Sequence, residues 1–153
     1  MFQSFFPQPK LFFSSLALWS GILILVWYSF GKTIGESLGF DLTETETVIG
    51  LGHFITSEFL WFDTFFAFGA LAFFFVWRSR SPHEWQVWSV LGSALLIYLS
   101  YASVQVSVVI NAWYGPFYND IQTALTGDGG ITAGDLYGHF LVFCTIAFPY
   151  ILF

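Results

Sequence analysis

Charged side chains are scarce in this chain of 153 residues. Only 9% of the residues are charged, and Lys and Arg together number four, whereas ordinary soluble domains carry about 25% charged residues. The composition therefore argues against a soluble globular protein. It also argues against a nucleic-acid partner, because binding to phosphates depends on clusters of Lys and Arg.

Cysteine is equally scarce, since Cys144 is the only one in the sequence. A single cysteine allows neither an intrachain disulfide nor a cysteine-based metal cluster. His53 and His139 stand isolated in the sequence, so we predict no metal site. The sequence patterns of nucleophilic catalysis and of nucleotide, flavin or haem binding are missing as well. We therefore predict neither an enzymatic activity nor a cofactor.

Apolar residues make up most of what remains. The chain is 56% hydrophobic and contains 21 Phe and 7 Trp, which is more apolar surface than a core of this size could hide. The lipid bilayer must therefore solvate much of it, and backbone groups in lipid are satisfied within helices. We predict an all-α, polytopic transmembrane protein that is surrounded by membrane lipid.

Four segments are long and apolar enough to be predicted as membrane spans, with approximate bounds 11–31, 59–77, 88–113 and 136–153. A cleaved signal peptide is the alternative for the first segment. We prefer a retained span, because the apolar run is longer than that of a signal peptide and Ser29-Phe30-Gly31 gives no cleavage pattern. The fourth segment stops at Phe153 without a polar flank. Either the chain ends at the membrane or it is the first part of a longer protein.

The basic residues predict the orientation of the chain. Arg78 and Arg80 lie in the short loop after the second span, so this loop and the N-terminus with Lys10 should be cytoplasmic. Segments 32–58 and 114–135 then face outside, where an acidic surface would attract cationic solutes. The alternative is that these are solvated loop charges with no ligand. The acidic residues concerned are Glu36, Asp41, Glu44, Glu46, Glu58, Asp120, Asp128 and Asp135.

Asp63 is the only carboxylate inside a predicted span. A charge in lipid costs several kcal/mol, so such a residue should face protein, water or a proton, which suggests a function. The alternative is that Asp63 lies within a turn of the outer interface, because the second span begins near Phe59. Glu58 sits at the same boundary.

The third predicted span carries two polar stripes at helical spacing. Such stripes either allow close helix packing or line a water-filled path. Beyond them, Gly115 and Pro116 are expected to break or bend the helix, so that a re-aimed helix begins near Phe117. One stripe comprises Ser93, Ser100, Ser103, Ser107 and Asn111, and the other comprises Tyr98, Tyr101 and Gln105.

Three motifs together resemble one known family. They are Met1-Phe2-Gln3-Ser4-Phe5-Phe6-Pro7, the stretch 81–92 (SPHEWQVWSVLG), and Asn111-Ala112-Trp113-Tyr114-Gly115-Pro116-Phe117-Tyr118 followed by Ile121-Gln122-Thr123-Ala124-Leu125. In this order and spacing they closely resemble the SbmA/BacA peptide transporters. The resemblance implies a fold like the membrane domain of ABC exporters without the ATPase. It also implies a homodimer in the bacterial inner membrane that imports peptides, including antimicrobial ones, with the proton gradient.

Two features depart from the pattern of that family. Its members are far longer than this chain, and Gln105 stands where the family is expected to carry a glutamate. A neutral amide takes up no proton, so coupling through that position is lost or moved. We therefore take Asp63, Gln105, Tyr101 and Glu58 as candidates for the proton or substrate pathway. The alternatives to a proton-driven peptide importer are the membrane domain of an ATP-driven transporter and a truncated membrane protein that transports nothing.

Overall fold

The computed structural model describes residues 8–43, 48–127 and 130–152, and over these residues the chain is helical without strands. The first family motif, together with Glu44, Glu46 and Asp128, lies outside the described residues. The long helices are α1 (Pro9–Ser37), α2 (Ser57–Arg80), α3 (Ser93–Thr126) and α4 (Ala133–Leu152), with a 3₁₀ helix at Leu51–Ile55 and a π-helix at Val87–Gly92.

Three helical segments of the described chain are long and apolar enough to cross a membrane: Pro9–Ser37, Ser57–Arg80 and Val87–Thr126. The prediction of a helical membrane protein is thereby confirmed. Each segment extends beyond its predicted bounds, because polar residues continue the helix past the apolar run. The fourth predicted span falls on α4. The described apolar part of this helix, Ala133–Phe148, is shorter than the three segments that could cross a membrane.

Of the break or bend predicted at Pro116, the break is wrong. α3 runs without interruption from Ser93 to Thr126 with Pro116 inside it, although proline donates no backbone hydrogen bond to the preceding turn. Aromatic pairs one turn apart pack across this position. The rings of Trp113 and Phe117 stack at 4.5 Å, and those of Tyr114 and Tyr118 stack at 5.7 Å. Their packing offsets the missing hydrogen bond, so no separate helix begins near Phe117.

The chain divides into two compact units. Of the described residues, 8–43 and 57–97 belong to the first unit, and its core consists of Phe12, Phe73, Phe74, Trp77 and Val90. Two indoles join α1 to α2 by hydrogen bonds: Trp77 Nε1 donates to Ser15 Oγ and Trp19 Nε1 donates to the carbonyl oxygen of Gly69, each at 3.0 Å. These bonds satisfy polar groups that water would not reach in a bilayer.

A π-helix follows the loop after α2. Here Gln86 is 4% exposed, and its Nε2 donates to the carbonyl oxygen of Phe74 at 3.4 Å. The next six residues, Val87–Gly92, adopt the wider π-helical winding before α3 begins. Sequence periodicity predicted an ordinary helix from Trp88, because π-helical winding has no distinct hydrophobic pattern.

The second unit contains residues 48–56, 98–127 and 130–152 of the described chain. Its core is formed by α3 and α4, where Val106, Val109, Trp113 and Ile146 are buried. Phe54 of the 3₁₀ helix packs against the same cluster. The 3₁₀ helix and the two long helices therefore share one apolar core, which fixes the polar side chains described below.

Candidate functional site

Asp63 and Glu58, two of the predicted pathway residues, lie in the first two turns of α2 within the first unit. Glu58 is exposed, and its carboxylate in the first turn favours the helix because the N-terminus carries partial positive charge. Asp63 is half-buried, near the buried Phe59 and Trp61. The structure thus places both carboxylates at one end of an apolar helix.

Gln105 and Tyr101, the other two predicted residues, lie on α3 within the second unit. Gln105 Oε1 is 2.9 Å from Nε2 of His53, in the 3₁₀ helix. When Nε2 carries a proton, it donates a hydrogen bond to the amide oxygen. His53 stands isolated in the sequence, because 52 residues separate it from Gln105. Gln105 therefore contacts an imidazole side chain from another helical segment of the same unit.

The two polar stripes of α3 differ in burial. Tyr98, Tyr101 and Gln105 are half-buried, and the two tyrosine rings lie 6.5 Å apart. Ser107 and Asn111 of the serine stripe are exposed, and Ser107 Oγ donates to the carbonyl oxygen of Ser103 at 3.2 Å. The tyrosine stripe is thus partly packed, whereas this end of the serine stripe is a surface feature.

The aromatic family motif packs against α4 through two of its side chains. Trp113 is 4% exposed, and its Nε1 donates to the carbonyl oxygen of His139 at 3.0 Å. Its ring also contacts Phe143 at 4.9 Å, while Phe117 contacts Phe140 at 5.5 Å. The remaining motif residues, Asn111, Tyr114, Pro116 and Tyr118, are exposed. The motif therefore has a side that packs against α4 and an exposed side.

A histidine–aspartate pair lies beside this aromatic packing. His139 Nε2 is 2.8 Å from Asp120 Oδ2, and the two side chains are 21% and 31% exposed, respectively. In the sequence, Asp120 is one of the acidic residues of a predicted outer segment, and His139 stands isolated. Their pairing depends on how α3 packs against α4, and a local sequence pattern does not predict that packing.

An open pocket of about 620 Å³ adjoins this pair. Asp135, at the start of α4, accepts hydrogen bonds from the backbone N–H and the hydroxyl of Thr132, both at 2.8 Å. The pocket is lined by Asp120, Gly130, Ile131, Gly134, Asp135, Gly138, His139 and Val142. Its polar lining is acidic apart from the imidazole. Among the described residues, no group of three or more His, Cys, Asp or Glu side chains could hold a metal ion.

Asp41, in the segment after α1, is held in its charged form. The Thr43 hydroxyl donates to Asp41 Oδ1 at 2.6 Å and the Thr43 backbone N–H donates to it at 3.1 Å. These bonds lower the pKa of this exposed carboxyl below its usual range. At neutral pH, Asp41 therefore contributes a full negative charge to this surface.

Comparison with known protein families finds a match for one part of the chain. Residues 82–153 match the model of the SbmA/BacA-like family. This region of the chain is similar to that family. It includes Gln105, the aromatic motif and the Asp120–His139 pair, and it confirms the resemblance seen in the sequence. The SbmA/BacA-like match and the three long apolar helices together support a multi-pass membrane protein that functions in transport.

Proposed function

We propose that this chain belongs to a carrier that imports peptides across a bacterial inner membrane with the energy of the proton gradient. The observation that carries the proposal is the SbmA/BacA-like match over residues 82–153, where the motif tryptophan is buried against α4. In this proposal, two copies of the chain form an outward-facing cavity. Protonation of membrane carboxylates then permits the cavity to close and to open on the other side.

Cationic peptides, including proline-rich antimicrobial peptides, are the proposed substrates, together with similar bulky solutes. The support comes from the segments that are predicted to face outside. Glu36, Asp41 and Glu58 are exposed there, and hydrogen bonds from Thr43 lower the pKa of Asp41. Acidic surfaces raise the local concentration of cationic solutes at low ionic strength. The outer segments would therefore concentrate substrate near the cavity.

Asp63, Glu58, Tyr101 and Gln105 are the proposed residues of the proton or substrate pathway. Asp63 supplies a carboxylate on a membrane helix. A charge that faces lipid is costly, and carboxylates within membrane helices mark proton or substrate pathways. Gln105 supplies a hydrogen-bonding amide next to the imidazole of His53, and imidazole groups exchange protons near neutral pH. Proton coupling is thus assigned to Asp63 and to the surroundings of Gln105 rather than to Gln105 itself.

The test is uptake of a fluorescently labelled proline-rich peptide by cells that express the native-length protein. Uptake above that of vector cells is expected, as is its loss when a protonophore collapses the gradient. Uptake that persists with the protonophore but requires ATP would instead support an ATP-driven transporter. Uptake no greater than in vector cells would support a membrane protein that transports nothing.

A matched pair of variants refines this test. Asp63→Asn removes the Asp63 carboxylate at nearly constant volume, and we expect it to reduce uptake at least tenfold. Glu84→Gln makes the same chemical change at an exposed position in the loop after α2, and we expect uptake to remain unchanged. Equal effects of the two substitutions would contradict a role for Asp63.

A further inference from the structure

The Asp120–His139 pair joins the last turns of α3 to the first turns of α4. The 2.8 Å contact lies directly beside the hydrogen bond from Trp113 to the His139 carbonyl oxygen. The ring of Phe117 also contacts the His139 imidazole at 5.8 Å. One residue of α4 therefore receives a backbone contact, a ring contact and a polar contact from α3.

The charged groups that face His139 are acidic. Asp120 approaches it from α3, and Asp135 lies one turn away on α4 and lines the same pocket. Among the described residues that line this pocket, none is Lys or Arg. A positive charge on the imidazole thus meets two carboxylates, of which Asp120 is in direct contact. The attraction between the opposite charges of the imidazolium and the Asp120 carboxylate then adds to the hydrogen bond.

We propose that the Asp120–His139 pair is a pH-sensitive switch that controls how firmly the motif end of α3 is held against α4. Protonation of His139 converts the contact into an ion pair and tightens the packing of Trp113 and Phe117. Deprotonation leaves a hydrogen bond from the neutral imidazole to the Asp120 carboxylate without the attraction between opposite charges, and the packing loosens. Histidine is suited to this role, because an imidazole ordinarily changes charge between about pH 5 and pH 8.

The switch gives the proposed transport function a regulatory site, and only this consequence for uptake rests on the proposed function. If the end of α3 faces outside, as the charge distribution predicts, then an acidic exterior would load the proton onto His139. The outer ends of α3 and α4 would then be held together while a proton is bound. Loss of the proton from His139 would weaken the contact and allow the two ends to separate.

Hydrogen–deuterium exchange tests the switch directly. The native-length protein in lipid nanodiscs is compared at pH 6 and pH 8, with rates corrected for the intrinsic pH dependence of exchange. In the wild type, we expect segments 117–126 and 133–140 to exchange roughly two- to fivefold more slowly at pH 6, the range that partly exposed ion pairs produce. No difference between the two pH values would overturn the proposal.

Two variants separate the switch from a merely structural contact. His139→Gln keeps a donor group but does not titrate, and Asp120→Asn keeps a hydrogen-bonding group but carries no charge. Each is expected to abolish the pH difference. His53→Gln, in the same unit, is the matched control and should retain the difference. A wild-type pH difference in either His139→Gln or Asp120→Asn would overturn the proposal.

Peptide uptake distinguishes this proposal from the proposed function. If the exchange data follow the expected pattern but the protein imports no peptide, the switch stands and the transport function fails. If uptake is driven by the gradient but His139→Gln leaves both its pH profile and the exchange ratio unchanged, the transport function stands and the switch fails.

Discussion

The indole Nε1 of Trp113 donates a hydrogen bond to the backbone carbonyl oxygen of His139 at 3.0 Å. This bond reaches from the centre of the aromatic motif to a different helix. A buried indole N–H needs an acceptor, and a bilayer provides no water to act as one. The acceptor on α4 therefore fixes both the rotamer of Trp113 and the position of the motif.

Trp113→Phe is expected to destabilise the second unit. The substitution keeps an aromatic ring next to Phe117 and Phe143 but removes the N–H donor, at a cost of about 0.5–1.5 kcal/mol. The measurement is thermal unfolding of the purified protein in detergent. Trp88→Phe is the matched control, because Trp88 is 72% exposed and should tolerate the change. Equal unfolding temperatures for both variants would contradict a structural role for the indole hydrogen bond.

Gln105→Glu is expected to make uptake more strongly dependent on pH. The new carboxylate would lie near His53 Nε2, which is now 2.9 Å from the amide oxygen, and it would add a group that takes up and releases protons. The measurement is the initial rate of peptide uptake as a function of the imposed pH gradient. A steeper dependence than in the wild type is expected.

Gln122→Glu serves as the control for this substitution. Gln122 is exposed on the same helix, so the variant adds the same charge away from His53. Its uptake should follow the wild-type dependence on the gradient. If both variants behave alike, the position of Gln105 has no special part in proton coupling.

Gly69→Ala is expected to disturb the packing of α1 against α2. A Cβ at this position would lie 2.6 Å from Leu23 Cδ1, so the leucine side chain must shift, at a cost of roughly 1–3 kcal/mol. Thermal unfolding measures the loss. Gly21→Ala is the control, because a Cβ there meets nothing within 4 Å. The double variant Gly69→Ala with Leu23→Ala should recover part of the loss, and its failure to do so would contradict this explanation.

The long helices could be predicted from sequence because their signal is local. An apolar run of sufficient length has few alternatives to a membrane helix, so the sequence predicts α1, α2 and α3, although each helical segment extends beyond its predicted bounds. Pro116 was misjudged for a physical reason. Its lost hydrogen bond is a local effect, whereas the stacking of Trp113 on Phe117 depends on the helix being present already.

The polar contacts of the candidate site could not be predicted in the same way. Gln105 was identified from its motif, but its partner His53 lies 52 residues away, and Asp120 lies 19 residues from His139. Both contacts require a particular rotation and register of one helix against another. Residue spacing within a single helix contains no information about either quantity.

Pro116→Ala is expected to stabilise α3. The substitution restores a backbone N–H that would donate to the carbonyl oxygen of Ala112, and alanine is favoured over proline inside a helix by up to about 3 kcal/mol. A gain of roughly 1–3 kcal/mol should raise the unfolding temperature. Pro82→Ala in the loop after α2 is the control and should change little. A loss of stability in Pro116→Ala would mean that the exposed proline ring makes contacts that the helix depends on.

Thiol labelling tests the predicted orientation. In a Cys144→Ser background, Leu38→Cys places a thiol after α1 and Pro82→Cys places one after α2, both at exposed positions. Arg78 and Arg80 lie in the last turn of α2, and basic residues at the end of a span favour the cytoplasmic side. In intact spheroplasts, a membrane-impermeant maleimide should therefore label Leu38→Cys and leave Pro82→Cys unmodified until the membrane is permeabilised. The opposite pattern would place Asp41 and Glu58 in the cytoplasm, where their negative charge could not concentrate cationic peptides before uptake.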